Sequence, residues 1–203
     1  MDLTPISVCK GDSSTGVFWD LEDYPIPDHL DPATVVKNIK LALKNNGYAG
    51  NVFVWAYLPG GKTFSKHSVQ EYRDAGITTI SVMEEKFERL RRITADFHMW
   101  SADNCRHCTM DPSLLVITKD MVGKTTSFLD FLEILASCYY HILFAMPDDD
   151  DNTTEQPSWV KLHYPWRFLS GGGSTDETES SQSVGDKRKM REEEQSTTAG
   201  QSI

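Results

Sequence analysis

The stretch that decides the fold is GVFWDLEDYPIP, residues 16–27. Its Val-Phe-Trp run has the length and composition of a strand that is covered on both faces, and its two prolines prevent the strand from continuing. The carboxylates of Asp20, Glu22 and Asp23 therefore follow at the carboxyl end of this strand. Ligands bind at that edge in open α/β sheets, so the stretch predicts both a strand and a candidate site.

Apolar runs and helical patterns alternate along the next 130 or so residues of the chain. An N-cap at Asp31 followed by Pro32 predicts a helix that ends at residues 45–47. The remaining patterns predict strands at 51–58, 77–82, 114–118 and 140–146, helices at 68–75, 84–104 and 125–137, and an edge strand near 159–162. Alternating strands and helices favour right-handed crossovers. We therefore expect a three-layer α/β, Rossmannoid fold with a mostly parallel sheet of five or six strands.

The longest predicted helix has one apolar stripe. Its members recur at spacings of three and four residues and are Phe87, Leu90, Ile93, Phe97 and Trp100. We expect Trp100, on this stripe, and Trp55, within a strand, to be core residues and not residues that stack on RNA bases. Trp19 is expected to face a helix.

The composition indicates one domain with polar ends. The chain has 203 residues and 39% hydrophobic content, enough for one core. We predict a flexible leader at 1–15, a folded domain at 16–169 and a disordered polar tail at 170–203, where apolar residues are nearly absent.

The net charge of −10, from 30 acidic and 20 basic residues, implies no overall basic face. Any nucleic-acid contact must then depend on a local cluster, such as the arginines at 89, 91 and 92. No apolar stretch has the length of a membrane span and the start of the chain lacks the layout of a signal peptide, so an intracellular, cytoplasmic protein with reduced thiols is expected.

Four aspartates are candidates for a metal site. Asp20 and Asp23 follow the first strand, Asp120 follows the fourth, and Asp96 lies on the long helix. Carboxylates at one edge repel each other unless a hard cation such as magnesium or manganese neutralises them, and such a cation activates water for phosphodiester cleavage. The structural alternative is that Asp20 and Asp23 cap the following turn and that Asp96 is solvated.

Residues 16–147 resemble the NYN domains of the limkain type. These domains belong to the PIN-like nuclease superfamily and occur in meiosis regulator and mRNA stability factor proteins and in plant paralogues, of which this chain is expected to be one. The similarity is carried by residues 16–27, 48–50, 56–57, 74–77, Lys86, Arg92, Asp96, Trp100, 103–104, 114–117, Asp120 and 142–147. The resemblance implies a PIN-like fold, RNA partners, a divalent-metal endoribonuclease activity, a role in the regulation of gene expression and a peroxisomal association.

The resemblance also assigns residues. Asp20, Asp96 and Asp120 match the family's metal-binding aspartates, and Asp23 stands where many members have asparagine. Family members carry a second acid shortly after the position of Asp120. That acid is absent here, where Asp120 is flanked by two lysines, which are Lys119 and Lys124. This departure indicates a partly degenerate site and leaves open a catalytically inactive RNA- or protein-binding domain that retains the fold.

The candidate RNA contacts are the basic residues beside these aspartates, namely Arg89, Arg92, Lys119 and Lys124. The alternative for the two arginines is a structural role on the helix surface, where they would pair with Glu85 and Glu88.

Three other motifs are weaker indications of function. Cys105 and Cys108 have the spacing of zinc ligands, but no further pair of ligands accompanies them in the sequence. Residues 123–125 end like a P-loop, yet Thr118 occupies the position of its first glycine. The basic run at 186–191 has the composition of a nuclear import signal, and its structural alternative is a solvated charged segment.

Overall fold

The computed structural model describes residues 13–60, 66–82, 85–105, 111–119, 126–148 and 157–172, without the side chains of residues 105, 126 and 127. These residues form six strands and five helices. In chain order they are β1 (Thr15–Asp20), α1 (Pro32–Asn45), β2 (Val52–Pro59), α2 (Val69–Asp74), β3 (Ile77–Val82), α3 (Lys86–Cys105), β4 (Ser113–Ile117), α4 (Thr126–Ser137), β5 (His141–Met146), β6 (Val160–Pro165) and α5 (Trp166–Gly171).

One sheet contains all six strands in the order β3-β2-β1-β4-β5-β6, and every neighbouring pair is parallel. The chain adds strands outward from β1 on one side and then returns to add β4 on the other side. This arrangement confirms the three-layer, Rossmann-like α/β fold and gives the larger of the two predicted strand numbers.

Helices cover both faces of the sheet and bury two apolar cores. One core packs α1, α2 and α5 against the side chains of Val17 and Trp19 in β1. The other packs α3 and α4 around Phe18, whose ring meets Phe97 edge-on at 4.6 Å. Successive β1 side chains thus enter opposite cores, which is why the strand is apolar at consecutive positions.

Local signals at the helix ends act as the sequence indicates. The Asp31 side chain accepts a hydrogen bond from the Thr34 amide at 2.7 Å and caps α1. Ser68 and Glu71 form a capping box at the start of α2. Gly76 follows that helix with φ of +76°, a conformation that favours glycine.

The predicted apolar stripe of α3 is wrong at Phe87. The Phe87 side chain is 53% exposed, whereas the other four members of the stripe are buried. Residues four and seven positions before the buried Ile93 lie on the same face of the helix. These residues are Arg89 and Lys86, and Phe87 is not on that face. The inward-facing side of the first turns of α3 is therefore polar.

Helix α5 was not predicted, and it fixes the turn after β1. Its Trp166 ring lies 5.3 Å from the Trp19 ring and 5.4 Å from the Tyr24 ring. Trp19 also donates a buried hydrogen bond from Nε1 to the Tyr24 carbonyl at 2.7 Å. Trp19 thus faces a helix, as expected, and the contacts hold residues 21–24 beside the end of β1.

Several predictions concern residues outside the described part of the chain. They are the leader up to residue 12, the tail from residue 173 with its basic run, the P-loop-like segment and Cys108.

Gly50 is a point at which the fold has no room for a side chain. A Cβ atom at Gly50 would lie 1.9 Å from the carbonyl oxygen of Ser13, so we expect Gly50→Ala to lower the free energy of unfolding by about 1–3 kcal/mol. Gly171→Ala is the control, because a Cβ there meets nothing within 4 Å. Urea unfolding measures both, and equal midpoints for the two variants would contradict the packing argument.

Candidate functional site at the carboxyl edge

The strand order places a crevice between the carboxyl ends of β1 and β4. The chain leaves these neighbouring strands toward opposite sides of the sheet, and ligands of open α/β sheets bind at such a switch point. We call Asp20, which ends β1, together with Glu22 and Asp23, which follow it, the acidic edge. Thr118 and Lys119 follow β4 at the same place.

Asp20 is the last residue of β1 and is fully buried. Its Oδ2 accepts a hydrogen bond from Nε of Arg89 at 3.1 Å, and its Oδ1 accepts one from the Glu22 amide at 3.0 Å. The Arg89 side chain is also fully buried and donates a second hydrogen bond to the Glu22 carboxylate. Arg89 thus joins α3 to two members of the acidic edge.

Burial raises the pKa of Asp20 above its ordinary value, and the charge of nearby Asp23 raises it further. Arg89 opposes both effects without cancelling them. The Asp20 carboxylate is therefore a desolvated charge that depends on its counter-ion.

Asp23 is held by four hydrogen bonds. Lys86 Nζ lies 2.7 Å from each carboxylate oxygen, the Thr118 hydroxyl donates at 2.7 Å and the Lys119 amide at 2.8 Å. Burial alone would raise the pKa of Asp23, but these hydrogen bonds and the Lys86 charge together hold it below its ordinary value. Asp23 consequently connects the turn after β1 to both α3 and the end of β4.

Asp96 forms its hydrogen bonds with residues outside the acidic edge. Its Oδ2 accepts hydrogen bonds from the Tyr57 hydroxyl and from Nε of Arg92, each at 2.9 Å. Tyr57 is the register partner of Asp20 on β2, so Asp96 is linked to the neighbouring strand. Burial and the Asp96 charge raise the pKa of Tyr57 above its ordinary value, which keeps its hydroxyl a proton donor.

The predicted site residues are thus only partly brought together. Asp20 and Asp23 share the acidic edge, whereas Asp96 bonds to Tyr57 and Arg92. Asp120 and Lys124 lie outside the described residues, and so does the Cys105 side chain.

The four predicted RNA contacts divide in a similar way. Arg89 is buried against carboxylates and is not presented to solvent. Arg92 is 53% exposed and pairs with Asp96, and Lys119 is exposed with Nζ 5.4 Å from the centre of the Tyr24 ring. Arg92 and Lys119 are therefore the members of this set that the structure offers to a ligand.

Sequence reasoning missed Lys86 and Thr118 as site residues. Lys86 could have been found from its position on α3. It lies on the same helix face as Arg89 and the buried apolar residues, and this placement indicates that both charged side chains face inward. Thr118 gives no comparable signal, because its hydrogen bond to Asp23 spans 95 positions in the chain.

A divalent metal does not fit the acidic edge as the described residues arrange it. Both oxygens of Asp20 and both of Asp23 already accept hydrogen bonds, and Arg89 and Lys86 already supply the neutralising charge. Among the residues that the structure describes, no group of three or more His, Cys, Asp or Glu is placed to hold a metal ion. Magnesium or manganese would have to displace at least one of these cations.

No protein-family model matches the chain, and no curated protein matches it. The resemblance to NYN domains thus depends on the sequence motifs quoted above. Within the described ranges, no helix is long and apolar enough to cross a membrane.

The buried ion pair should dominate the stability of this edge. We expect Arg89→Met to lower the free energy of unfolding by about 3–5 kcal/mol, because it leaves the Asp20 charge buried without its partner. Arg91→Met is the matched control: Arg91 pairs with Glu88 at 3.2 Å on the same helix but is 66% exposed, and such a pair contributes about 1 kcal/mol or less. Urea unfolding measures both variants. Equal losses of unfolding free energy in the two would contradict a dominant contribution of the buried ion pair.

The hydrogen bonds of Asp23 predict a pH dependence. Because folding lowers its pKa below 3.8, the Asp23 carboxylate stabilises the fold above pH 3.8, and this contribution is lost as the pH falls through the folded-state value. We expect Asp23→Asn to cost about 1.5–3 kcal/mol at pH 7 and progressively less in acid. Urea unfolding of both proteins from neutral to acidic pH measures this difference, and a gap that widens on acidification would contradict the assignment.

Proposed function

We propose that this chain is an NYN-type, PIN-like domain that acts on RNA in the regulation of gene expression, and that it binds RNA without a working metal-dependent cleavage site. The observation that carries this proposal is the pairing of Asp20 with Arg89 and of Asp23 with Lys86. In a nuclease of this fold type a metal would neutralise such carboxylates, whereas here Arg89 and Lys86 supply the neutralising charge.

The RNA component of the proposal is supported by the motif resemblance and by two exposed cations. Lys119 is exposed at the crevice, and Arg92 is exposed on α3 one turn beyond Arg89, so both are available to phosphate groups. The resemblance also supports a peroxisomal association.

A second candidate is a divalent-metal endoribonuclease that uses Asp20, Asp23, Asp96 and Asp120. One observation favours it: the Asp23 charge contributes to the raised pKa of Asp20, so the two carboxylates repel each other. A cation bound between them would relieve that repulsion. In that case Asp20, Asp96 and Asp120 would hold the metal, with Asp23 assisting, once the metal had displaced Arg89 from Asp20, and the metal would supply an activated water for phosphodiester cleavage.

One experiment separates the two candidates. Purified protein is incubated with end-labelled single-stranded RNA and manganese, beside an Asp20→Asn control, and the products are resolved on a denaturing gel. We expect intact RNA with both proteins. Products from the wild type that the Asp20→Asn protein does not form would establish the endoribonuclease instead.

RNA binding is measured separately by fluorescence anisotropy of a labelled single strand. We expect Arg92→Gln/Lys119→Gln to bind more weakly than the wild type and to reduce the salt dependence by about one to two phosphate contacts, since each lost contact removes about one unit of slope. Lys161→Gln, an exposed lysine on β6, is the control. Absence of RNA binding by the wild type at low salt would reject the RNA proposal and leave a protein-binding domain.

A further inference from the structure

The two edges of the sheet, β3 and β6, differ in how they are protected from pairing with a further strand. A free edge presents unpaired backbone N–H and C=O groups, and proteins usually protect it with lysine, proline or a bulge. Strand β6 has such features: Lys161 is exposed, Pro165 ends the strand, and a register shift at Ile142/Leu143 interrupts its pairing with β5. The β6 edge is therefore poorly suited to a further strand.

Strand β3, at the opposite edge, lacks this protection. Its sequence is ITTISV, residues 77–82, in which every residue except Ser81 is β-branched and none is charged, proline or glycine. Its pairing with β2 keeps one register along the whole strand, and among the described residues no strand pairs with its outer side. The edge is thus open and has the composition that favours strand pairing.

The hydrogen bonds to β2 identify the backbone groups of β3 that face outward. The Val82 carbonyl accepts a hydrogen bond from the Gly60 amide, so the backbone of Val82 is directed toward β2. Because the backbone groups of successive residues in a strand point to opposite sides, those of Ile77, Thr79 and Ser81 are directed away from β2. These residues supply the donors and acceptors that a strand added at this edge would use.

We propose that two copies of this chain associate through β3, with the two β3 strands antiparallel and a two-fold axis passing through Thr79. In this register Thr79 pairs with Thr79 of the second copy, and Ile77 pairs with its Ser81. Thr78 pairs with its Ile80. All the outward-facing residues of β3 then form hydrogen-bonded pairs within the described strand. The inference is independent of the proposed function, because it uses no residue of the crevice.

The side chains of β3 favour a second copy as the occupant of this edge. Self-pairing places no like charges opposite each other, and it joins β-branched side chains, which stabilise cross-strand pairs. It also adds a neighbour for Ile80, which the core buries only in part. A two-fold pair joins both open edges and leaves only the protected β6 edges at its ends, so association stops at two copies.

Lysine at the β3 edge should prevent this association. Sedimentation velocity of the full chain is measured over a concentration series at moderate salt, which screens the repulsion between two chains of net charge −10. We expect a reversible dimer of the wild type and at least about tenfold weaker dimerisation of Thr78→Lys/Ser81→Lys, because both copies then carry edge-protecting lysines. Both positions are exposed, so the fold should be retained, and circular dichroism verifies this.

The control for the added charge is Asn45→Lys/Ser137→Lys, at exposed positions that end α1 and α4. This variant should dimerise like the wild type. Equal association of the edge variant and the control would overturn the proposal. A wild type that is monomeric at every concentration would overturn it as well and leave the β3 edge to an extended segment of a different protein.

The register is tested by disulfide formation under mild oxidation. Residues of a hydrogen-bonded antiparallel pair have Cα atoms about 5.5 Å apart, within the range of a disulfide, so Thr79→Cys should cross-link to itself in the dimer. Ser81→Cys is the matched control, because the two copies of residue 81 would be offset by four residues, about 13 Å at about 3.3 Å per residue. The wild type, with its four native cysteines, gives the background. Equal cross-linking of the two variants would overturn the antiparallel pairing about Thr79.

Discussion

The buried ion pair between Asp20 and Arg89 is the interaction on which the arrangement of the site depends. Neither side chain is exposed, and an unpaired charge at that depth would cost several kcal/mol, so α3 must present Arg89 to the end of β1. Lys86 then lies one turn earlier on the same face and meets Asp23, whose other bonds reach the end of β4. Two adjacent parallel strands and one helix are thereby fixed to each other at the switch point.

This pairing changes what the acidic edge can do. A cluster of carboxylates at a switch point is typical of a metal site, but here each described member of the edge already bonds to a cation of α3. Each carboxylate of the edge thus has a cationic partner without a metal, and this is the physical reason for proposing RNA binding rather than RNA cleavage.

The charge of the chain is distributed over the two ends of the sheet. The carboxyl end holds paired acids and a few exposed cations, whereas Lys40 and Lys44 of α1, a helix without acidic residues, lie near the amino end of β2. The net charge of −10 gives no sign of these lysines, because it is a sum over the whole surface, whereas a ligand contacts only one part of that surface. Strand β2 runs eight residues between these ends, about 25 Å at about 3.3 Å per residue, so only an extended ligand would contact both.

By itself the sequence determined the alternation of strands and helices, the cap at Asp31, and the placement of Asp20 and Asp23 at the carboxyl end of β1, because hydrophobic period, capping and proline are local properties of the chain. It did not determine which side of α3 faces inward in its first two turns. Phe87 continues the apolar spacing of the stripe, yet Arg89 is the residue that is buried there. Tertiary structure alone decided that Arg89 and Lys86 neutralise the acids. These pairs join positions 63 to 69 apart, and no local pattern encodes which charge will be left in the core to require a partner.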